Sequence, residues 1–284
     1  MSVTDGFDVR SLSCTFRTGH RLQDHDHPWA QLIYARSGVM HVTSAGEVWF
    51  APPTRAIWIP PHTDHAIEMM GEVALRTVYI SPERCGALAR RLGALEVSSL
   101  LSELIVHVLA KGMLDPRQPE HDRLAGVLVD LIAAAPEIDL MLPLPSDARA
   151  LRLAAMLRAD PTDPRDLETL AVEAGASLRT LQRHFSEQTG LPIETWRQKA
   201  RLIHSAAALT GGSSVTDAAL GCGYESPSAY IAAFRRQFGV TPGRFGGSCS
   251  DGAPGAGAPP QVKSADATRN IVDSRGQGRE GSRN

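Results

Sequence analysis

The chain has 284 residues, 43% of them hydrophobic, with 29 Lys and Arg against 31 Asp and Glu and a formal net charge of −2. That length suits two domains with real cores, and the near-neutral balance excludes a polycation that holds nucleic acid by bulk charge alone. No basic-then-apolar leader opens the sequence, and no apolar run nears the ~18 residues of a membrane span; a cytoplasmic, nucleoid-associated protein without membrane partners is expected.

Residues 1 to about 80 alternate short apolar stretches with turn residues: Gln31–Ala35, Val39–Thr43, Glu47–Ala51, Ala56–Ile59, Ala66–Met69 and Ala74–Ile80. Short strands at this spacing predict a small barrel or jelly roll. His25 and His27 stand two apart on one strand and so share a face. With His65 alongside and the Gln31 amide oxygen, they form a donor set suited to a divalent transition metal such as Zn, Ni, Mn or Fe. The same residues are better read as the polar lining of a ligand pocket, with Trp29, Tyr34, Trp49 and Trp58 as apolar walls. The run Gly19-x5-His25-x-His27-x3-Gln31-x6-Gly38, followed by Pro60-x-His62-x2-His65, resembles the two cupin motifs. Gln31 stands where metal-binding members carry Glu, and His62 replaces the usual Gly.

From Ser81 the period changes. Pro82 to Leu92 reads as helix, Ser98 to Leu109 carries a stripe at Leu101, Leu104, Ile105, Val108 and Leu109, and His121 to Ala135 carries Leu124, Val127, Leu128, Leu131 and Ile132. One stripe must cover the strands; another is a candidate homodimer face or packs within the chain. Met141-Leu142-Pro143-Leu144-Pro145 is a short linker into Ser146, the expected N-cap of a helix over Asp147–Ala159.

Asp166 to Phe245 reads as one unit built twice. Ala171–Gly175 leads into Ser177–Phe185, and Ala218–Gly223 leads into Ser226–Arg236. Each copy is a short apolar helix, a Gly-containing turn and a Ser-capped amphipathic helix, the sequence form of a helix-turn-helix. Leu178, Leu181 and Phe185 fall on one face, while Arg179, Thr180, Gln182, Arg183 and Ser186 fall on the other, where they can meet base edges or phosphates. Tyr230, Phe234 and Phe238 repeat the apolar face in the second copy. Between the copies, Pro192 to about Thr210 is a helix of roughly 25 Å with Arg197, Lys199 and Arg201 as candidate phosphate contacts or internal ion-pair partners. Charge supports this division weakly: residues 1–146 hold 12 basic against 17 acidic residues, and 147–246 hold 12 against 10.

Ser146 to Phe245, and above all the run from Gly223 to Pro242 (Gly-Tyr-x-Ser-x-x-x-Tyr-x-x-x-Phe-Arg-Arg-x-Phe-Gly-x-Thr-Pro), resembles the AraC/XylS family of bacterial transcription regulators. The resemblance implies base contacts from Arg179, Gln182 and Arg183 in the first unit, beside which Thr180 of the same face is a further candidate, and from Ser228, Ala229, Ile231 and Ala232 in the second, with Pro227 leading. Ser177, Ser226, Arg235 and Arg236 join the strut cations as backbone contacts. Ala and Ile touch a thymine methyl but make no bidentate hydrogen bond, so the first unit is expected to carry most of the sequence selection.

The expected architecture is α+β: a cupin-like barrel over residues 1–81, a helical connector over 82–145, a tandem helix-turn-helix domain over 146–246 and a disordered tail over 247–284, whose Gly-, Pro- and Ser-rich composition buries too little surface to fold. Cys14, Cys85, Cys222 and Cys249 show no Cys-x-x-Cys spacing and are expected to be reduced. The implied function is a regulator that binds double-stranded operator DNA under control of a small effector at His25, His27, Gln31, Trp58 and His65, acting as a homodimer and, as an activator, on RNA polymerase. No enzymatic activity or firm cofactor is expected. The alternative is a metal-dependent cupin enzyme or metal sensor carrying a DNA-binding module.

Overall fold

The computed structural model describes residues 6–247, apart from 54, 87, 89 and 90; the expected disordered tail lies outside the described residues. The chain opens with strands β1 (Val9–Phe16), β2 (Arg21–His25), β3 (Ala30–Ala35), β4 (Met40–Ser44), β5 (Glu47–Ala51), β6 (Arg55–Ile59), β7 (His65–Met69) and β8 (Val73–Ile80). There follow α1 (Pro82–Cys85), β9 (Gly93–Glu96), α2 (Ser99–Lys111), β10 (Met113–Leu114), α3 (Pro119–Ala134), β11 (Glu137–Ile138) and β12 (Met141–Pro143).

The strands form two antiparallel sheets, one in the order β10-β1-β8-β3-β6-β9-β11 and the other β12-β5-β4-β7-β2. Among the described residues no ladder joins one sheet to the other, so the expected barrel is an open two-sheet sandwich. Strand period sorts the side chains. Ile33, Ile57, Ile59 and Leu75 from the larger sheet meet Met40, Val42, Ile67 and Met69 from the smaller in one apolar core. Leu32, Tyr34, Trp58, Val78 and Ile80 point the other way and pack under α2 and α3. Covered on both faces, β3 and β6 are buried throughout, which is why they read as continuous apolar runs. Gly38 (φ +78°) closes the β3–β4 turn where an added Cβ would lie 2.2 Å from the Glu72 carbonyl oxygen, so only glycine fits.

The segment expected as a purely helical connector also supplies three short edge strands, β10, β11 and β12, a device that limits exposed ladder. The helix expected over 82–92 stops at Cys85; the chain then enters β9, where Ala94 and Leu95 pair with Ile57 and Ala56. Pairing with the sheet outweighs local helix propensity there.

The described residues after β12 are all-helical: α4 (Ala148–Ala159), α5 (Leu167–Ala174), α6 (Leu178–Thr189), α7 (Ile193–Thr210), α8 (Val215–Gly221), α9 (Pro227–Phe238) and α10 (Pro242–Gly247). The cap of α4 is Asp147, one residue beyond the expected Ser146; its carboxylate accepts from the Arg149 and Ala150 amides. The outer face of the smaller sheet abuts this half: His41 and Phe50 face Arg158 of α4 and Ile203 of α7. The sandwich core continues through Leu142 into Leu153, Leu157, Phe185, Trp196 and Ile203. The second helix-turn-helix has a separate core of Leu202, Ala206, Ala219, Tyr230, Phe234 and Phe245.

Candidate functional site

A cavity lies inside the sandwich. It encloses about 390 Å³, with Leu12, Phe16, Leu22, Ile67 and Leu75 as apolar wall and His25, Gln31, Thr77 and Tyr79 as polar end. His25 and Gln31 line it directly, and His27 and His65 stand behind them: the His25 and His65 rings are 4.3 Å apart, and His27 Nε2 is 3.0 Å from Gln31 Oε1. Trp58, expected in the wall, faces the helices instead. It alternates with Ile57 and Ile59 along β6, so strand geometry sends it to the opposite side; Tyr34 follows it, its hydroxyl 3.3 Å from Ser102. Sequence reasoning missed the apolar wall from β1 and β2 (Leu12, Phe16 and Leu22) and, at the polar end, Thr77 and Tyr79. The i, i+2 spacing of Thr77 and Tyr79 on β8, opposite Ile33 and Gln31, was the available signal.

The hydrogen bonds fix the histidine tautomers. Nδ1 of His25, His27 and His65 each lies 2.7–2.8 Å from a backbone carbonyl oxygen, of Gln23, Trp29 and Thr63. A carbonyl only accepts, so each neutral ring carries its proton on Nδ1 and presents a bare Nε2. The Gln31 amide is equally fixed. Thr77 Oγ1 donates to the Leu32 carbonyl and therefore accepts from Gln31 Nε2, which also donates to the Tyr79 hydroxyl. Two lone-pair atoms, His27 Nε2 and Gln31 Oε1, thus face each other, a contact that needs a cation or a proton between them. His65 Nε2 is buried and has no hydrogen-bond partner among the described residues. Ligand atoms of the three histidines lie within 4.8 Å of one another. Burial lowers the pKa of His27 and pushes that of His65 down to about 4, so both are neutral, the form that ligates metal. Anchored Nδ1 protons with convergent Nε2 atoms are the outer-shell arrangement of a metal site, and the residues fit a divalent transition ion.

The first helix-turn-helix is α5–α6. Gly175 (φ +89°) ends α5 in the left-handed region, and the Ser177 hydroxyl accepts from the Thr180 amide to start α6. Leu181 and Phe185 anchor α6 with no exposure. This orients Arg179, Gln182 and Arg183 to solvent, with Thr180 half-exposed. Among the described residues Arg183 pairs with Glu187 one turn on, at 3.2 Å with both side chains more than half exposed; such a pair is weak. The second unit, α8–α9, repeats the design with Ser226 as cap and Pro227 in the first turn. Ser228, Ala229, Ile231, Ala232, Arg235 and Arg236 are exposed on α9.

The strut cations are turned elsewhere. Arg197 donates to the Asp163 and Arg165 carbonyls, and Arg201 donates to the Pro161 carbonyl at 2.8 Å. Four residues apart on one face of α7, they brace the α4–α5 loop. Lys199, on the other face, binds both carboxylate oxygens of Asp139 at 2.8–2.9 Å.

The model for an AraC-like ligand binding domain matches residues 15–159, just over half the chain, and that for a helix-turn-helix domain matches residues 170–247. The chain belongs to the AraC family of transcription regulators. As such it couples an N-terminal ligand-binding domain to a C-terminal DNA-binding one. It is 30% identical over 221 residues to the HTH-type transcriptional regulator NimR of Escherichia coli strain K12, covering 78% of this chain and 81% of NimR. It is 22% identical to the transcriptional activator RhaR of the same strain, covering 78% and 86%. Among solved structures, ToxT from Vibrio cholerae O395 aligns over 87% of this chain and all of its own at 12% identity and a TM-score of 0.38. No described helix of this AraC-family regulator is long and apolar enough to cross a membrane.

Proposed function

We propose that this regulator senses a small, mainly apolar molecule in the sandwich cavity and selects its operator chiefly through α6, with no enzymatic step of its own. The observation that carries the DNA half is the presentation of Arg179, Gln182 and Arg183 on a capped helix whose opposite face is locked in the core. Arg pairs bidentately with guanine and Gln with adenine in the major groove; α9 offers Ser, Ala and Ile and adds methyl contacts and shape. Ser177, Ser226, Arg235 and Arg236 lie at the ends of the two reading helices, where phosphates pass. The non-enzymatic reading is supported by regulators such as NimR and RhaR among its relatives. The chain works in the cytoplasm at the nucleoid, as a homodimer through the exposed Leu100 of α2 and Val127 of α3, and engages RNA polymerase where it activates. The test is gel shift on its operator: Arg183→Ala costs about 1–3 kcal/mol on the preferred sequence and little on random duplex. An equal loss on both would remove the base-reading assignment.

A second feature of the sensor follows from the bare Nε2 atoms. His25, His27, His65 and Gln31 hold one divalent transition ion at the polar end of the cavity, where it offers a Lewis-acidic anchor to the effector. Elemental analysis of the purified chain should find one equivalent, lost in His65→Ala. Equal metal content in both proteins would leave a metal-free pocket.

A further inference from the structure

The groove between the two helix-turn-helix units is lined by Glu194, Gln198 and Lys199 of α7 and by Arg236 and Gln237 of α9. It adjoins both reading faces. At one end Glu194 accepts a hydrogen bond from Gln182 of α6 at 3.4 Å; at the other, Arg236 also borders the surface formed by Ser228, Ile231 and Ala232 on α9. A duplex laid across both recognition helices would pass over this groove, and a cation within it would meet the intervening phosphates.

Lys199 is the lysine of that groove, and a carboxylate of the sensor domain already occupies it. Asp139 takes Lys199 Nζ on both oxygens, at 2.8 and 2.9 Å. It also accepts from the Gln237 amide, at 2.9 Å on the side chain and 3.4 Å on the backbone carbonyl. Two anionic oxygens on one ammonium and one amide are what a phosphate would present. Resting on the DNA-binding reading above, we propose that Asp139 is a built-in competitor for a phosphate seat between the two units, so that the sensor and the duplex contend for Lys199 and Gln237.

The carboxylate acts twice. It removes the donors, and it adds negative charge where a phosphate must come. Its position depends on the sensor: Asp139 sits between β11, paired with β9 of the larger sheet, and β12, paired with β5 of the smaller. Any ligand that shifts one sheet against the other moves this residue, which couples cavity to groove through a single short segment. Asp139 is half exposed and Lys199 15% exposed, so the carboxylate is the partner that solvent and salt reach.

The test uses the full chain and a random 30-base-pair duplex, followed by fluorescence anisotropy over a salt series. Asp139→Ala should bind several-fold tighter near 0.1 M salt and steepen the slope of log K against log[salt] by about 0.9, one added phosphate contact; Asp139→Asn, which keeps the side-chain shape, should move the same way. Adding Lys199→Met to Asp139→Ala should return the slope to the wild-type value. Glu83→Gln removes the same charge from α1 on the helix-covered face and should leave the slope alone. If Asp139→Ala keeps the wild-type slope, or the double variant keeps the steeper one, the competition is overturned while DNA binding stands. If the wild-type chain binds no duplex at all, it is the DNA-binding reading that fails.

Discussion

His62 stands where the cupin motif has glycine, and its backbone shows why the motif does: φ is +55°, in the left-handed region that costs a non-glycine residue roughly 1–2 kcal/mol. Its amide donates to the His27 carbonyl at 2.8 Å, so the turn that holds this conformation also helps to position a histidine of the sensor cluster. The imidazole itself is mostly exposed and near Asp26. His62→Gly should therefore stabilise the fold by about 0.5–1 kcal/mol, the relief of strain less the added chain entropy, read as a higher urea midpoint at unchanged m. A lower midpoint would mean that the side chain contributes more than its exposure indicates. At this scale the sequence was legible where residue type dictates conformation. The departure at His62, the Ser177 and Ser226 caps and the paired His25 and His27 could all be named beforehand. The direction of Trp58 could not, because the face of β6 that meets the cavity is fixed by which neighbours flank it.

The two recognition helices share a plan and differ in content. Both begin at a serine cap and bury two large side chains, Leu181 and Phe185 in α6, Tyr230 and Phe234 in α9, yet α6 exposes two arginines and a glutamine where α9 exposes Ala229, Ile231 and Ala232. Single base changes under α6 should cost about 1–3 kcal/mol each, and those under α9 well under 1 kcal/mol, since a methyl contact is worth far less than a bidentate hydrogen bond. Selection of binding sequences from a random pool would check this; equal information under both helices would contradict it. The α7 strut carries the opposite lesson. Its length and its cations were evident in the sequence, but periodicity does not say what a helix face meets. Arg197 and Arg201 brace a loop, and Lys199 is taken by Asp139, a residue 60 positions earlier. The stretch after Pro82 was misread for a related reason, because sheet pairing of Gly93–Glu96 lies outside any local pattern.

Across the whole molecule, two buried histidines tie stability to acidity. Burial, with Arg158 and His204 nearby, pushes His41 down to about 3 at the domain boundary, and burial pushes His65 to about 4 in the sensor. In the unfolded chain both return towards 6.5. Between these values the unfolded state binds more protons than the folded one, so stability is fully present above about pH 6.5 and is lost as pH falls towards 4 and then 3, by about 1.4 kcal/mol per pH unit for each histidine. Urea titrations of the metal-free chain at several pH values measure it, and His41→Gln should flatten the slope; a stability independent of pH between 6.5 and 4 would contradict the assignment. His41 also marks how closely the halves are joined: its Nδ1 lies 3.3 Å from Arg158 of α4, and Trp196 of α7 donates to the Pro143 carbonyl at 2.7 Å.

That joining is unequal. The first helix-turn-helix is packed as an extension of the sandwich, whereas the second has its own small centre and meets the remainder through α7, Asp139 and the stacking of Arg55 on Phe245 at 4.2 Å. On a duplex the more loosely joined second unit is expected to be the one that yields, so operators whose half-sites differ in separation by a base pair should be accommodated by swinging the C-terminal foot, leaving the register of the other untouched.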